Sequence, residues 1–184
     1  MMTDKSFTII ELVMVMLIVG ILAAVAASQI PDLDAIRITQ AANKIQSDIR
    51  FAQRLAMQTQ RRTAVIFDVA QDSYSIWIEN TYMVGDIVKA INPATQQDFD
   101  VYLNTEEFQG VDITYANFNS LNYALVFDRN GDPYGVDIGN PPTIALITWV
   151  PLPAGVVLNF PSVNNKFILV MQNTGRVNVQ DTLF

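Results

Sequence analysis

Few residues of this chain could carry chemistry, because its 184 residues include no His and no Cys. Their absence excludes a Cys/His metal site, a disulfide and any catalysis that depends on a histidine base. Glu106 and Glu107 are adjacent, so in a strand they would point to opposite faces and in a loop they would be solvated. No Ser or Thr lies in a recognisable nucleophile motif, and no Gly-rich loop could cradle a phosphate. The sequence therefore predicts a protein that is not an enzyme and needs no cofactor.

Three oxygen-bearing side chains at alternate positions, Asp128, Asn130 and Asp132, are spaced like the first half of a calcium-binding loop. In such a loop a Gly follows the third ligand and a Glu comes several residues later. Here Gly131 precedes the third residue and the Glu is missing. The favoured interpretation is a turn in which Asp128 accepts hydrogen bonds from the following backbone. A calcium site at these three residues is the alternative.

Glu11 lies inside a long apolar run, FTIIELVMVMLIVGILAAVAA, which extends from Phe7 to Ala27. As a helix these 21 residues measure about 31 Å, which matches the apolar core of a bilayer. A cleaved secretory signal has a shorter apolar region, of about 7–15 residues. A plain membrane anchor fits the length, but a carboxylate near the bilayer centre costs about 2.5–3.5 kcal/mol. Glu11 is nearer the end of the run, where the cost is lower, and it is still expected to have a partner.

The segment Lys5–Leu12, KSFTIIEL, closely resembles the class III signal of type IV prepilins and secretion pseudopilins. In that family a membrane peptidase cuts before the Phe, the new amino terminus is N-methylated, and the Glu pairs with the terminal amine of a neighbouring subunit. The resemblance implies cleavage between Ser6 and Phe7, N-methylation of Phe7, and Glu11 as the assembly carboxylate. The family normally has Gly where this chain has Ser6. The pairing is chemically sensible, because a buried carboxylate needs a cation and a newly cut chain supplies one.

A second helical pattern follows the apolar run. Pro31 lacks a backbone donor and disfavours helical geometry at Ile30, so a kink or a short break is expected there. From Asp32 to Gln60 apolar residues recur at spacings of three and four. They form one stripe, which consists of Ile38, Ala41, Ile45, Ile49, Ala52 and Ala56. With the apolar run this predicts a helix of about 80 Å, bent at Pro31, with Arg61 and Arg62 at its carboxyl end.

The net charge of −7 is unevenly distributed along the chain. Six basic residues fall on or next to the second helix: Arg37, Lys44, Arg50, Arg54, Arg61 and Arg62. They could form a nucleic-acid face, but a solvated flank that meets acidic neighbours in a packed assembly is the favoured interpretation. Beyond Arg62 acidic residues outnumber basic ones, which argues against a phosphate-binding surface there.

After residue 62 the apolar period changes to two, which predicts short strands rich in β-branched and aromatic residues. Residues 89–98 and 133–142 are predicted loops, whereas Asn130-Gly131 and Asn173-Thr174-Gly175 predict hairpin turns. Trp77, Trp149 and the Tyr residues are expected to pack within the sheet. The predicted fold class is α+β, with one antiparallel sheet or two packed sheets on the helix stripe. The predicted strands are Thr63–Asp68, Ser73–Glu79, Tyr82–Val88, Phe99–Leu103, Val111–Tyr115, Tyr123–Asp128, Thr143–Val150, Val156–Phe160, Lys166–Gln172 and Arg176–Val179.

Three further segments resemble, more loosely, the minor pilins that include type II secretion protein H and FimT-like proteins. They are Ile45–Arg62 with Thr63–Asp68, Leu125–Asp128 with Gly131 and Pro133, and Asn173–Val177. This resemblance implies a long N-terminal helix packed on a two-sheet head. Some FimT-like members bind DNA through basic residues near their carboxyl end. Here that end, Arg176–Phe184, has one Arg and one Asp, so no nucleic-acid partner is expected.

Together these patterns divide the chain into a leader peptide (1–6), a transmembrane and assembly helix (7–30), an amphipathic helix (31–62) and a β-rich head (63–184). Lys5 precedes the apolar run and favours a cytoplasmic amino terminus, which would put the head in the periplasm. The resemblances imply a minor pseudopilin of a type II secretion system, inserted in the bacterial inner membrane and assembled into a periplasmic pseudopilus. The implied partners are other pilin-like subunits, the prepilin peptidase and an inner-membrane platform. The alternative is a FimT-like minor pilin of a type IV pilus, with a possible role in DNA uptake.

Overall fold

The computed structural model describes residues 8–28, 33–82, 86–118, 124–138, 144–149, 154–160, 163–172 and 174–181. The chain divides into two compact units, Met1–Leu33 and Asp34–Phe184. The second unit therefore holds both the amphipathic helix and the β-rich head, which were predicted as separate parts. The predicted bend at Pro31 lies outside the described residues.

The apolar run forms helix α1, Ile9–Ser28, as predicted. Its residues are strong helix formers interspersed with Val and Ile, and Gly20 is its single helix-weakening residue. Within the part of the chain that the structure describes, no helix is both long enough and apolar enough to cross a membrane.

Helix α2, Leu33–Thr59, confirms the second helical pattern. All six residues of the predicted stripe have no exposed surface. The helix ends where Gln60 adopts a left-handed conformation, with φ of 54°. Arg61 and Arg62 follow this turn, next to the carboxyl end of the helix, and their side chains bind Glu79 and Thr81.

The structure has eleven strands in the residues that it describes. They are β1 (Thr63–Asp68), β2 (Ser73–Glu79), β3 (Ile87–Lys89), β4 (Asp100–Tyr102), β5 (Asp112–Asn117), β6 (Ala124–Phe127), β7 (Pro133–Ile138), β8 (Ile144–Trp149), β9 (Gly155–Phe160), β10 (Val163–Val170) and β11 (Val177–Gln180). A short 3-10 helix, Glu106–Phe108, precedes β5. Most predicted strands are confirmed with shifts of one or two residues at their ends. The strand predicted over Tyr82–Val88 is mostly displaced, since β3 begins only at Ile87.

Strand β7 corrects the predicted loop over residues 133–142. Pro133 is the first residue of the strand, a position where the missing N–H is tolerated, and it pairs with Phe127 of β6. Gly135 and Asp137 dilute the apolar signal of this segment, although Tyr134, Val136 and Ile138 alternate with them. Pairing with β6 and β8 therefore outweighs a weak local preference.

The strands form two antiparallel sheets. Among the described residues, the larger sheet has the order β3-β2-β1-β6-β7-β8, with β4 also paired to β2, and the smaller has the order β11-β10-β9-β5. Residues such as Val65 and Ile76 of the larger sheet and Val156 and Ile168 of the smaller sheet share one core with the stripe of α2. Two sheets on a helix were one of the two predicted arrangements, and the structure selects it.

The outer edge of the larger sheet is divided between β3 and β4. Strand β3 pairs with the second half of β2 and β4 with the first half, and residues 90–99 leave the sheet between them. The base of this excursion is held by backbone bonds from Ala90 N to Ile76 O (2.8 Å) and from Ile76 N to Phe99 O (3.0 Å). The predicted loop at 89–98 thus corresponds to the segment that connects β3 and β4, which both pair with β2 at the same edge of the larger sheet.

Candidate assembly site

Helix α1 exposes apolar side chains in every direction. Each described side chain from Thr8 to Val25 is exposed, from 86% for Ile9 to 50% for Leu12 among the large apolar residues. A helix in water normally confines its apolar residues to one stripe, whereas one that is apolar all round is buried in a large core or in lipid. Exposure of this size requires a covering that the single chain does not supply.

Glu11 lies in the first turn of α1. Thr8 precedes the helix, and its hydroxyl oxygen accepts a hydrogen bond from the backbone N–H of Glu11 at 3.3 Å. The carbonyl of Thr8 also accepts from the N–H groups of Glu11 (3.1 Å) and Leu12 (3.2 Å). Thr8-Ile9-Ile10-Glu11 therefore has the spacing of a capping box, in which a carboxylate at the third position favours the helix start. A carboxylate there also benefits from the positive end of the helix dipole.

This capping contact was missed in the sequence, although the T-x-x-E spacing could have revealed it. This contact uses the backbone N–H of Glu11, whereas the proposed pairing with a neighbour would use its carboxylate. The two residues of the predicted cleavage site, Ser6 and Phe7, lie outside the described residues. The structure therefore brings Thr8 and Glu11 together and leaves cleavage and methylation as predictions.

The three residues considered for calcium form a tight turn. Asp128 Oδ1 accepts hydrogen bonds from the backbone N–H groups of Asn130 (2.8 Å) and Asp132 (2.9 Å). Gly131 completes the turn with φ of 87° and a backbone bond from its N–H to Asp128 O at 3.0 Å. This is the predicted turn, in which the carboxylate oxygen Oδ1 already serves the backbone. No group of three or more acidic residues that could hold a metal occurs in the described ranges.

Polar side chains of α2 hold two turns of the head, and the sequence pattern did not reveal them. Gln53 Nε2 donates to Gly131 O and to Thr174 O, both at 2.9 Å. Gln46 Nε2 and Arg50 Nη2 both donate to Val177 O at 3.0 Å. The helix is thereby attached to the segments that resemble the secretion protein H group. Polar residues beside a buried stripe are the only sequence signal for such contacts.

Two buried carboxylates complete the attachment of α2 and its following turn. Asp48, 6% exposed, accepts from Tyr74 Oη at 2.6 Å and from Lys44 Nζ at 2.5 Å. Glu79, 3% exposed, accepts from Arg62 Nη2 at 2.6 Å. Burial and the neighbouring Asp48 carboxylate raise the pKa of Tyr74 well above its ordinary value. These groups have partners with good geometry, which assigns them a structural role.

Several basic residues on or next to α2 have polar partners in the same chain, whereas the Arg54 side chain is exposed. Arg61 Nη1 donates to Glu79 O (3.2 Å) and to Thr81 Oγ1 (2.8 Å), and Arg37 pairs with Asp34 at 3.5 Å. Near the carboxyl end, Lys166 pairs with Asp181. Phosphate binding needs several unpaired cations on one surface. The predicted solvated flank that meets acidic neighbours in a packed assembly stays a prediction, because it depends on contacts between chains.

No protein-family model matches the chain, and no curated protein matches it. Among solved structures, the crystal structure of the type IV minor pilin FimU from Pseudomonas aeruginosa (strain PAO1) is similar to it. The two are 13% identical with a TM-score of 0.47, and the match covers 82% of this chain and 92% of that chain. This likeness is too low to establish a shared fold.

Proposed function

We propose that this chain is a non-enzymatic, pilin-like subunit, made as a precursor, cleaved before Phe7, N-methylated there, and assembled into a filament through α1. The observation that carries the proposal is α1, a helix with apolar side chains exposed on all sides and a carboxylate in its first turn. Side-by-side packing of such helices would bury this surface, and each Å² of apolar area buried would stabilise the assembly by about 25 cal/mol. Cleavage at the prepilin-type sequence Lys5–Leu12 would precede this assembly.

Before assembly, the proposed place of α1 is the bacterial inner membrane, with the head in the periplasm. Support comes from the sequence, where the apolar run from Phe7 to Ala27 has the length of a bilayer core. In the filament, the Glu11 carboxylate would accept a hydrogen bond from the positively charged amino terminus of a neighbouring subunit and form an ion pair with it.

Within this class we infer a minor pseudopilin of a type II secretion system, with the prepilin peptidase and the secretion platform as partners. A minor pilin of a type IV pilus has the same cleavage motif, helix and head, so it is the second candidate. The genes that flank this one separate the two, because secretion and pilus genes are distinct sets.

The mature amino terminus tests the proposal directly. In a bacterium with a prepilin peptidase, mass spectrometry of the purified chain is expected to find a first residue Phe7 that carries one methyl group. A matched variant, Ser6→Gly, has the residue that the family normally carries and should be cut at the same bond, at least as completely. A chain that still begins with the leader, or at any residue other than Phe7, contradicts the proposal.

The role of Glu11 is tested by two substitutions that separate capping from pairing. Gln can replace Glu in a capping box but carries no charge, whereas Val can do neither. We expect Glu11→Gln and Glu11→Val both to insert in the membrane normally and both to fail in assembly, measured by crosslinking between neighbouring subunits. Assembly that survives in Glu11→Gln but not in Glu11→Val would show a capping role alone. Normal assembly of both would remove Glu11 from the mechanism.

A further inference from the structure

A cleft on the outer face of the larger sheet has no part in the proposed assembly through α1. Side chains alternate along β2, so Ile76 and Ile78 face the core while Ser75 and Trp77 face outward. The outward side chains of β1, β2, β3 and β4 enclose a cavity of about 220 Å³. Ser75, Trp77, Lys89, Asp100 and Tyr102 line it, and all of them are described by the structure.

The side chains of the cleft are fixed by contacts with one another. Trp77 Nε1 donates to Ser75 Oγ at 2.8 Å, which leaves the serine hydroxyl hydrogen free to donate elsewhere. Lys89 Nζ donates to Asp100 Oδ2 at 2.6 Å and lies 5.7 Å from the centroid of the Trp77 ring. A cation over an aromatic ring and a charged hydrogen bond both hold the wall in place without a ligand. The site is therefore preorganised on a rigid sheet rather than on a loop.

An aromatic ring stands open at the other end of the cleft. Tyr102 pairs with Ser73, four residues before Trp77 on the same face of β2, so the cleft is about 14 Å long. Tyr102 is 52% exposed, which leaves much of its side chain available for contact. Asp100 and Ser75, which pair across the two strands, line the cleft next to Tyr102.

The charges of the cleft select against several ligand classes. Among the described residues that line the cleft, Lys89 is the basic one, and it forms an ion pair with Asp100. Asp68, at the margin, accepts hydrogen bonds from the backbone N–H groups of Ala70 and Gln71. A phosphate or nucleic-acid ligand would find no unpaired cation here. The volume is also below the roughly 300–1,000 Å³ of pockets for drug-sized molecules.

We propose that this cleft binds one pyranose ring of a neutral saccharide. A pyranose has an apolar face of C–H groups and a rim of hydroxyls that both donate and accept. The Tyr102 ring matches the apolar face, whereas the Asp100 carboxylate accepts from hydroxyls and Ser75 donates to them. The proposal does not rest on the function inferred from α1.

Fluorescence of Trp77 gives a direct test with the full chain. The chain is held in a zwitterionic detergent that has no sugar headgroup, and Trp149→Phe leaves Trp77 as the single tryptophan. It is titrated with glucose, galactose and N-acetylglucosamine, and with their β1→4-linked disaccharides cellobiose, lactose and chitobiose. A saturable change in Trp77 emission with at least one of the six, in the millimolar range, is the expected result.

Two tyrosine variants connect the signal to the cleft. Tyr102→Ala should raise the dissociation constant about tenfold by removing the stacking ring. Tyr115→Ala is the matched control, because Tyr115 is 51% exposed but lies on the smaller sheet, and it should bind like the wild type. Saturation-transfer NMR on the unmodified chain measures binding without any substitution. Absence of transfer to all six sugars, or unchanged binding in a folded Tyr102→Ala variant, would overturn the proposal.

Discussion

The residue that sequence reasoning could least anticipate is Asp48. It follows the polar Ser47 and precedes a stripe residue, Ile49, so its sequence context suggests a solvated helix flank. In the structure it lies under the larger sheet, where Tyr74 Oη and Lys44 Nζ both donate to its Oδ2. A buried carboxylate is stable only with such donors. Its partner on the sheet is 26 residues away, a separation that local patterns do not report.

Tyr74→Phe tests this contact. Removal of one donor to a buried charge should lower the free energy of unfolding at pH 7 by about 1–3 kcal/mol. Urea unfolding followed by circular dichroism measures the loss. Tyr102→Phe removes a hydroxyl from a half-exposed tyrosine, and as a control it should change stability by less than about 0.5 kcal/mol. Equal losses in both variants would argue against a special role for the buried pair.

The same substitution has a signature at high pH. Burial raises the pKa of Tyr74 in the folded state, so above about pH 10 the unfolded chain releases a proton that the folded chain keeps. The wild type is therefore expected to lose stability as the pH rises through this range, and Tyr74→Phe should lose less. Unfolding free energies between pH 8 and the alkaline limit of folding make the comparison.

At the scale of elements, α2 organises the head by holding its turns. Each residue of its apolar stripe was predicted, because residues spaced three and four apart lie on the same face of a helix. The contacts of Gln53 with the turns at Gly131 and Thr174, and of Gln46 and Arg50 with Val177, were not predictable. They depend on which segments the two sheets bring together. Strand β7 was missed for the opposite reason, as Pro133 and Gly135 are poor local signals for a strand.

Gly175 has little free space where α2 meets the turn at Thr174. Its φ is +63°, and a Cβ there would lie 2.6 Å from Gln53 Nε2 and 2.9 Å from Phe127 Cε1. Gly175→Ala should therefore destabilise the chain by about 2–4 kcal/mol, from backbone strain and from displacement of these side chains. Gly131→Ala is the comparison, because its φ is +87° but its nearest neighbour is the flexible Met57 side chain at 3.0 Å. Urea unfolding should show the smaller loss for Gly131→Ala, and a reversed order would contradict this explanation.

For the molecule as a whole, the two compact units differ in what they need from their surroundings. The unit Asp34–Phe184 closes its own core, in which α2 contributes its buried stripe to both sheets. In α1, by contrast, the large apolar side chains from Ile9 to Val25 are exposed. The sequence predicted this contrast well, because it depends on composition and periodicity alone.

The divided edge of the larger sheet has a consequence for contacts between neighbouring molecules. A long, flat edge strand offers a row of free N–H and C=O groups, and neighbouring molecules can extend it into an aggregate. Here β3 and β4 have three residues each, and the excursion 90–99, which contains Pro93, stands between them. A second chain therefore meets no continuous ladder to extend along this edge. This edge therefore resists strand-by-strand extension when molecules are crowded together.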